Sequence, residues 1–152
     1  VTRVVVLLAL IGAIIALLMV AVVPVYAADC PQPSEMISVT IDVKPGSCPN
    51  PINLKSEGLL PVALLGSAEF NVIDVELSTV QLHPMDRCEQ AVAPVRYAFA
   101  DVDGDGFVDI VFHFVAKEVG FQPGDTGACL HGTLEGSGQH FCGHDAIVVI
   151  GY

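Results

Sequence analysis

The sequence predicts an all-β fold, an antiparallel β-sandwich of the Ig-like or jelly-roll-like Greek-key kind, preceded by a hydrophobic amino-terminal segment. Three observations predict it. No long amphipathic helical pattern follows residue 28; short β-branched and apolar runs recur, punctuated by Pro, Gly and Asn; and the stretch from Met36 to Val43 alternates, with Ile37, Val39, Ile41 and Val43 on one face and Ser38, Thr40 and Asp42 on the other. Alternation of this kind marks a strand with one buried and one wet face.

Residues 1–28 come first. Val4 to Val23 is an unbroken apolar run behind Arg3, followed by Pro24 and then Val25-Tyr-Ala-Ala28, the order of a secretory signal peptide. Cleavage is expected after Ala27 or Ala28, and a retained amino-terminal anchor is the alternative, because the run is long enough to span a bilayer. On either reading residues 29–152 form one domain outside the cytoplasm, secreted or at a bacterial cell surface, and touch a membrane only through an uncleaved first segment.

The strand expected over 36–43 leads into a loop, Lys44-Pro-Gly-Ser-Cys-Pro-Asn-Pro51, because Pro lacks a ladder donor and Gly permits unusual dihedrals. Further strands are expected over 59–65, 72–76, 79–83, 95–100, 107–115, 128–134 and 145–150. The run 59–65 is continuously apolar, as suits a strand buried on both faces, although Pro61 argues for an edge or a bulge.

Charge and composition narrow the function. Of six Lys and Arg, setting aside Arg3 leaves five against 17 Asp and Glu, a formal charge of −12 beyond the first segment, which disfavours nucleic acid as a partner. No nucleophile elbow, zinc-protease helix motif or phosphate-binding Gly loop occurs, so the chain is not expected to be an enzyme.

Five cysteines, at 30, 48, 88, 129 and 142, imply disulfides in an exported chain. Cys129 and Cys142 are the expected pair, since the Gly-rich stretch between them can turn back and bring two strand ends together. Pairing among Cys30, Cys48 and Cys88 stays open. The same region holds His131, His140 and His144, a set that zinc or copper could use if the cysteines were reduced. His83 and His113 stand alone on apolar strands and are read as structural.

The most specific chemistry lies in Asp101-Val-Asp-Gly-Asp-Gly-Phe-Val-Asp109. Calcium takes six to eight oxygens, and alternating acids let one tight loop aim several carboxylates at one point. Asp101, Asp103, Asp105 and Asp109 are the expected ligands, with the Phe107 carbonyl between them and Gly106 making the sharp turn. An EF-hand would need Glu at position 12, where this chain has Phe112 inside a strand-like run. The loop is similar instead to the calcium loops of FG-GAP repeats, thrombospondin type-3 repeats and dockerins.

Four further segments widen the resemblance: Ile41-Asp-Val-Lys-Pro-Gly-Ser47, Pro49-Asn-Pro-Ile-Asn53, Gly58-Leu-Leu-Pro-Val-Ala-Leu-Leu-Gly-Ser67 and Gly124-Asp-Thr-Gly-Ala-Cys-Leu-His-Gly132. With Asp101 to Phe114 they resemble a β module of secreted and surface-attached bacterial proteins, over nearly all of residues 29–152. The resemblance implies export, a β fold and calcium, and nothing catalytic. The chain departs from that pattern in carrying Cys48 and in reading as a lone module. The expected function is therefore an extracellular structural or adhesive module held by calcium and disulfides, partnered by copies of itself in a filament or layer, or by other surface proteins. The alternative is a carbohydrate-binding module or accessory domain of an extracellular hydrolase, disfavoured because the chain has no Trp and only three Tyr to stack on sugars.

Overall fold

The computed structural model describes residues 36–151, so the signal or anchor expected over 1–28 and the pairing of Cys30 lie outside the described residues. Among these residues there are ten strands, three short 3-10 turns and no α-helix, and no helix long and apolar enough to cross a membrane.

The alternating stretch at the start becomes two strands, β1 (Ile37–Val39) and β2 (Ile41–Val43), which join different sheets across Thr40. β1 runs parallel to β9 (His140–Ala146), while β2 pairs antiparallel with β4 (Leu59–Leu64). Between them in sequence lies β3 (Pro51–Asn53), which pairs in parallel with β10 (Val148–Ile150). One four-stranded sheet has the order β2-β4-β7-β6, with β6 spanning Arg96–Ala100 and β7 Asp109–Val115. The other has the order β1-β9-β8-β5, with β5 spanning Gln81–Pro84 and β8 Gly127–Thr133.

The two sheets share one apolar core. Val62, Leu64, Ile110, Phe112 and Phe114 from the first pack with Leu82, Leu130 and Phe141 from the second, all but sealed from water. Period-two alternation explains β7, where Ile110, Phe112 and Phe114 are buried and Val111, His113 and Val115 are only partly so. The arrangement is all-β, dominated by antiparallel pairing, and sandwich-like.

Several expected elements differ. Pro61 sits inside a central strand rather than at an edge. The Pro61 carbonyl accepts the Lys44 N–H at 2.9 Å, but the Lys44 carbonyl is taken by the Ser47 N–H at 3.0 Å as the chain turns away. The missing proline donor therefore faces the point where β2 ends, and no ladder bond is lost. The strand expected over 72–76 is a 3-10 turn, Val72–Asp74, because the Asn71 carboxamide oxygen accepts the Ile73 N–H at 3.2 Å and caps the turn. Val72 and Val75, three residues apart, both reach the core in this way. The strand expected over 79–83 starts at Gln81, after a second 3-10 turn at Leu77–Thr79. The single strand expected over 145–150 is two, β9 and β10, and β9 begins five residues earlier than expected.

Candidate metal centres

The acidic loop joins two neighbouring strands. β6 and β7 are antiparallel with Ala100 opposite Asp109, so residues 101–108 form the connection at the end of a hairpin. Local hydrogen bonds shape it. The Asp101 carboxylate accepts the Gly104 N–H at 2.8 Å and the Gly106 N–H at 3.2 Å; Asp103 accepts from Asp105 at 3.2 Å, and Asp105 accepts from Phe107 at 2.8 Å. Short acidic side chains make such turns with their own backbone. Gly104 and Gly106 take φ of 77° and 90°, the left-handed region that costs a residue with a Cβ about 1 to 2 kcal/mol.

Carboxylate oxygens of Asp101, Asp103 and Asp109 lie within 4.8 Å of one another. Asp105 is outside this set, and it lines the neighbouring cleft with Asp103. Asp109 differs in kind from the others. It is fully buried at the start of β7, one oxygen accepting the Gly66 N–H and the other the Val102 N–H, both at 2.7 Å. Gly66 permits this approach, because a Cβ there would fall 2.2 Å from the Val108 carbonyl oxygen. Asp109 thus braces the loop base against Gly66, just past the end of β4, a role its place in the motif did not disclose. Phe112, at the position where an EF-hand has its glutamate, is fully buried in the core.

A second cluster lies on the face of the β1-β9-β8-β5 sheet turned away from the core. Pairing puts His83 of β5 opposite Cys129 of β8, Cys129 opposite His144 of β9, and His131 of β8 opposite Cys142 of β9. The side chains of all five share that face, because residues two apart on a strand point the same way. The Cys129 and Cys142 sulfurs, the pair expected to be bonded, are 2.7 Å apart, and both residues are buried. The Cys142 sulfur is 3.4 Å from His144 Nε2. His83 and His131 rings meet edge to face with centroids 5.1 Å apart.

His83 was legible only as a solitary histidine on an apolar strand; the pairing of β5 with β8 brings it into the cluster. Its Nδ1 is 2.8 Å from the Pro84 carbonyl, which can only accept, so Nδ1 carries the proton and Nε2 keeps its lone pair. Burial lowers the pKa of His83 and, with the charges of His83 and His140, pushes His131 down to about 4, so both rings are neutral near pH 7. The hydrogen bond with Cys142, together with burial, pushes the Cys129 thiol up, while the bond from Cys129 lowers Cys142. Of the histidines only His144 is in the set of close donor atoms; His83 and His131 neighbour it on the same face, and His140 lies at the exposed start of β9.

Of the remaining cysteines, Cys88 is disulfide-bonded and Cys48 is an exposed thiol. Asp125 accepts the Gln122 N–H at 2.8 Å and forms an ion pair with Arg87, whose Nη1 is 3.0 Å away. No family model, no curated protein and no solved structure matches the chain.

Proposed function

We propose that the chain is an extracellular, non-enzymatic structural or adhesive module whose β6–β7 hairpin is locked by a calcium ion. The observation that carries this reading is the convergence of the Asp101, Asp103 and Asp109 oxygens within 4.8 Å. Three carboxylates at that spacing repel by on the order of 1 kcal/mol per pair even at the dielectric of water, a cost that a divalent cation reverses. Asp101, Asp103, Asp105, the Phe107 carbonyl and Asp109 would hold it. Each carboxylate oxygen has two lone pairs, so the backbone bonds to Asp109 leave it able to ligate. Hard oxygen donors without sulfur or imidazole favour calcium over a transition metal.

The finer fold belongs to the same reading. The orders β2-β4-β7-β6 and β1-β9-β8-β5, with the first strand crossing between sheets, support an Ig-like Greek key. In such a sandwich the hairpin loop is one end of the barrel of strands, and fixing it stiffens an edge.

That edge supports the assembly part of the proposal, in which copies join through a shared strand into a surface filament or layer. β6 is an edge strand exposed at all five residues, and Tyr97 and Phe99 are each 48% exposed. An edge with free backbone groups and uncovered aromatics is what an incoming strand requires.

The test of the calcium reading is thermal unfolding of the full chain with excess EGTA, then with calcium or magnesium restored. Saturation at a hundredfold over Kd adds about 2.7 kcal/mol, which corresponds to roughly 10 °C in a domain of this size. The expected result is a loss of that order in EGTA, recovered by calcium and not by magnesium, and absent from Asp101→Asn/Asp103→Asn. A melting curve that EGTA leaves unmoved removes the proposal.

A further inference from the structure

We propose that Cys129, Cys142 and His144, with His83 as the fourth ligand, form a closed tetrahedral site for a thiophilic cation of the zinc class, independent of the calcium loop. The donor atoms of the first three lie within 4.8 Å of one another, and they belong to adjacent strands of one sheet; the His83 nitrogens are outside that set, and His83 joins the proposal through its pairing opposite Cys129. Cys129 faces His144 across β8 and β9, and on its other side it faces His83 on β5. Four ligands from three hydrogen-bonded strands are held by rigid elements rather than by a loop, which is the arrangement that keeps donor geometry fixed.

His83 is set for ligation by its own strand. A metal-bound imidazole characteristically donates its other N–H to a carbonyl or carboxylate, which fixes the tautomer and the ring. His83 makes that bond through Nδ1 to the Pro84 carbonyl at 2.8 Å, leaving Nε2 as the lone-pair nitrogen. Behind it the His131 ring packs edge to face, and His131 Nε2 is anchored at 3.3 Å on the Gln81 carboxamide oxygen. The proposal gives His131 the role of a positioning residue that packs against the His83 ring. The two cysteines are buried while His144 is exposed, so the site meets solvent on the His144 side.

Binding converts two thiols and a zinc ion into a zinc dithiolate and releases two protons. With Zn–S bonds of about 2.3 Å, tetrahedral geometry puts the sulfurs roughly 3.7 Å apart, so the two sulfurs, 2.7 Å apart here, must separate by about 1 Å. A disulfide is the competing state, and it makes no use of the two imidazoles.

The experiment uses the full chain purified without reductant or chelator and held in saturating calcium, so that the acidic loop is occupied. Metal content and alkylation with mass spectrometry are read first, then exchange with Co2+, whose thiolate charge-transfer absorption reports sulfur ligation. The expected result is one zinc per chain, Cys129 and Cys142 protected from alkylation until zinc is removed, and the absorption band with Co2+. Cys142→Ser should abolish the band. His83→Gln and His144→Gln, which leave both cysteines in place, should each weaken binding at least tenfold. A metal-free protein carrying a Cys129–Cys142 disulfide overturns the proposal, as does a free dithiol that gives no band with Co2+. Unchanged affinity in His83→Gln overturns the four-ligand assignment.

Discussion

Both carboxylate oxygens of Asp109 accept backbone N–H groups, from Gly66 in a buried bond and from Val102 in a partly buried one, so this residue holds two segments together whether or not an ion is present. Asp109→Ala would strand both donors, at about 1 to 3 kcal/mol each. The expected loss of roughly 2 to 5 kcal/mol should appear in urea titrations performed in EGTA, whereas Asp103→Asn should cost little there. Equal behaviour of the two variants would contradict the bracing role. A second residue-scale prediction concerns Arg87 and Asp125. The Arg87 hydrogen bonds hold the Asp125 carboxyl below the usual carboxylate range. A depressed folded pKa gives stability that is present above the unfolded value, about 3.9, and is lost as pH falls through the folded value. Arg87→Gln should therefore be less stable than the parent at pH 6 and lose less on acidification to pH 3. A parallel pair of pH–stability curves would argue against the pairing.

Strand β9 is the element that the sequence concealed most completely. His140-Phe-Cys-Gly-His-Asp-Ala146 has few residues of high strand propensity, and it becomes a strand because β8 and β1 flank it on both sides. Its Gly143 is required by packing. A Cβ there would lie 2.6 Å from Ile41 Cγ2 and 2.9 Å from the Val39 carbonyl oxygen, where the first strand crosses from one sheet to the other. Gly143→Ala should cost about 1 to 3 kcal/mol by overpacking. Gly136 offers the contrast, with φ of 73° and nothing near its missing Cβ. Gly136→Asn should be nearly neutral in the same denaturation assay because Asn tolerates the left-handed region, and Gly143→Asn should not.

At the scale of the molecule, one core spans both sheets, and Phe112 lies at its centre between Tyr97 and Phe114. Phe112→Ala should cost about 3 to 5 kcal/mol while unfolding remains a single transition, because no described segment has an apolar cluster of its own. Assembly is tested at the same scale. Filaments seen by negative stain at high protein and calcium concentration should disappear in Phe99→Lys, which places a charge on the exposed edge, with the melting temperature held within a few degrees. Only monomers in the parent protein would end the strand-sharing proposal.

The sequence by itself determined what short-range chemistry can determine: the all-β class, from alternation such as Met36 to Val43, and the acidic loop, from Asp at 101, 103, 105 and 109 with glycine at the turn. These signals survive because period and turn preference are properties of a few adjacent residues. It did not disclose that 36–43 divides between two sheets, that Pro61 could sit in a central strand, or that Val72 begins a turn, since each depends on where a neighbouring strand starts or ends. The sites divide in the same way. Asp101, Asp103 and Asp109 are read in order along one loop, but His83 and Cys129 are 46 positions apart in the chain. Only antiparallel pairing of β5 with β8 makes them neighbours, and register across a sheet is fixed by the whole core rather than by either strand's own residues.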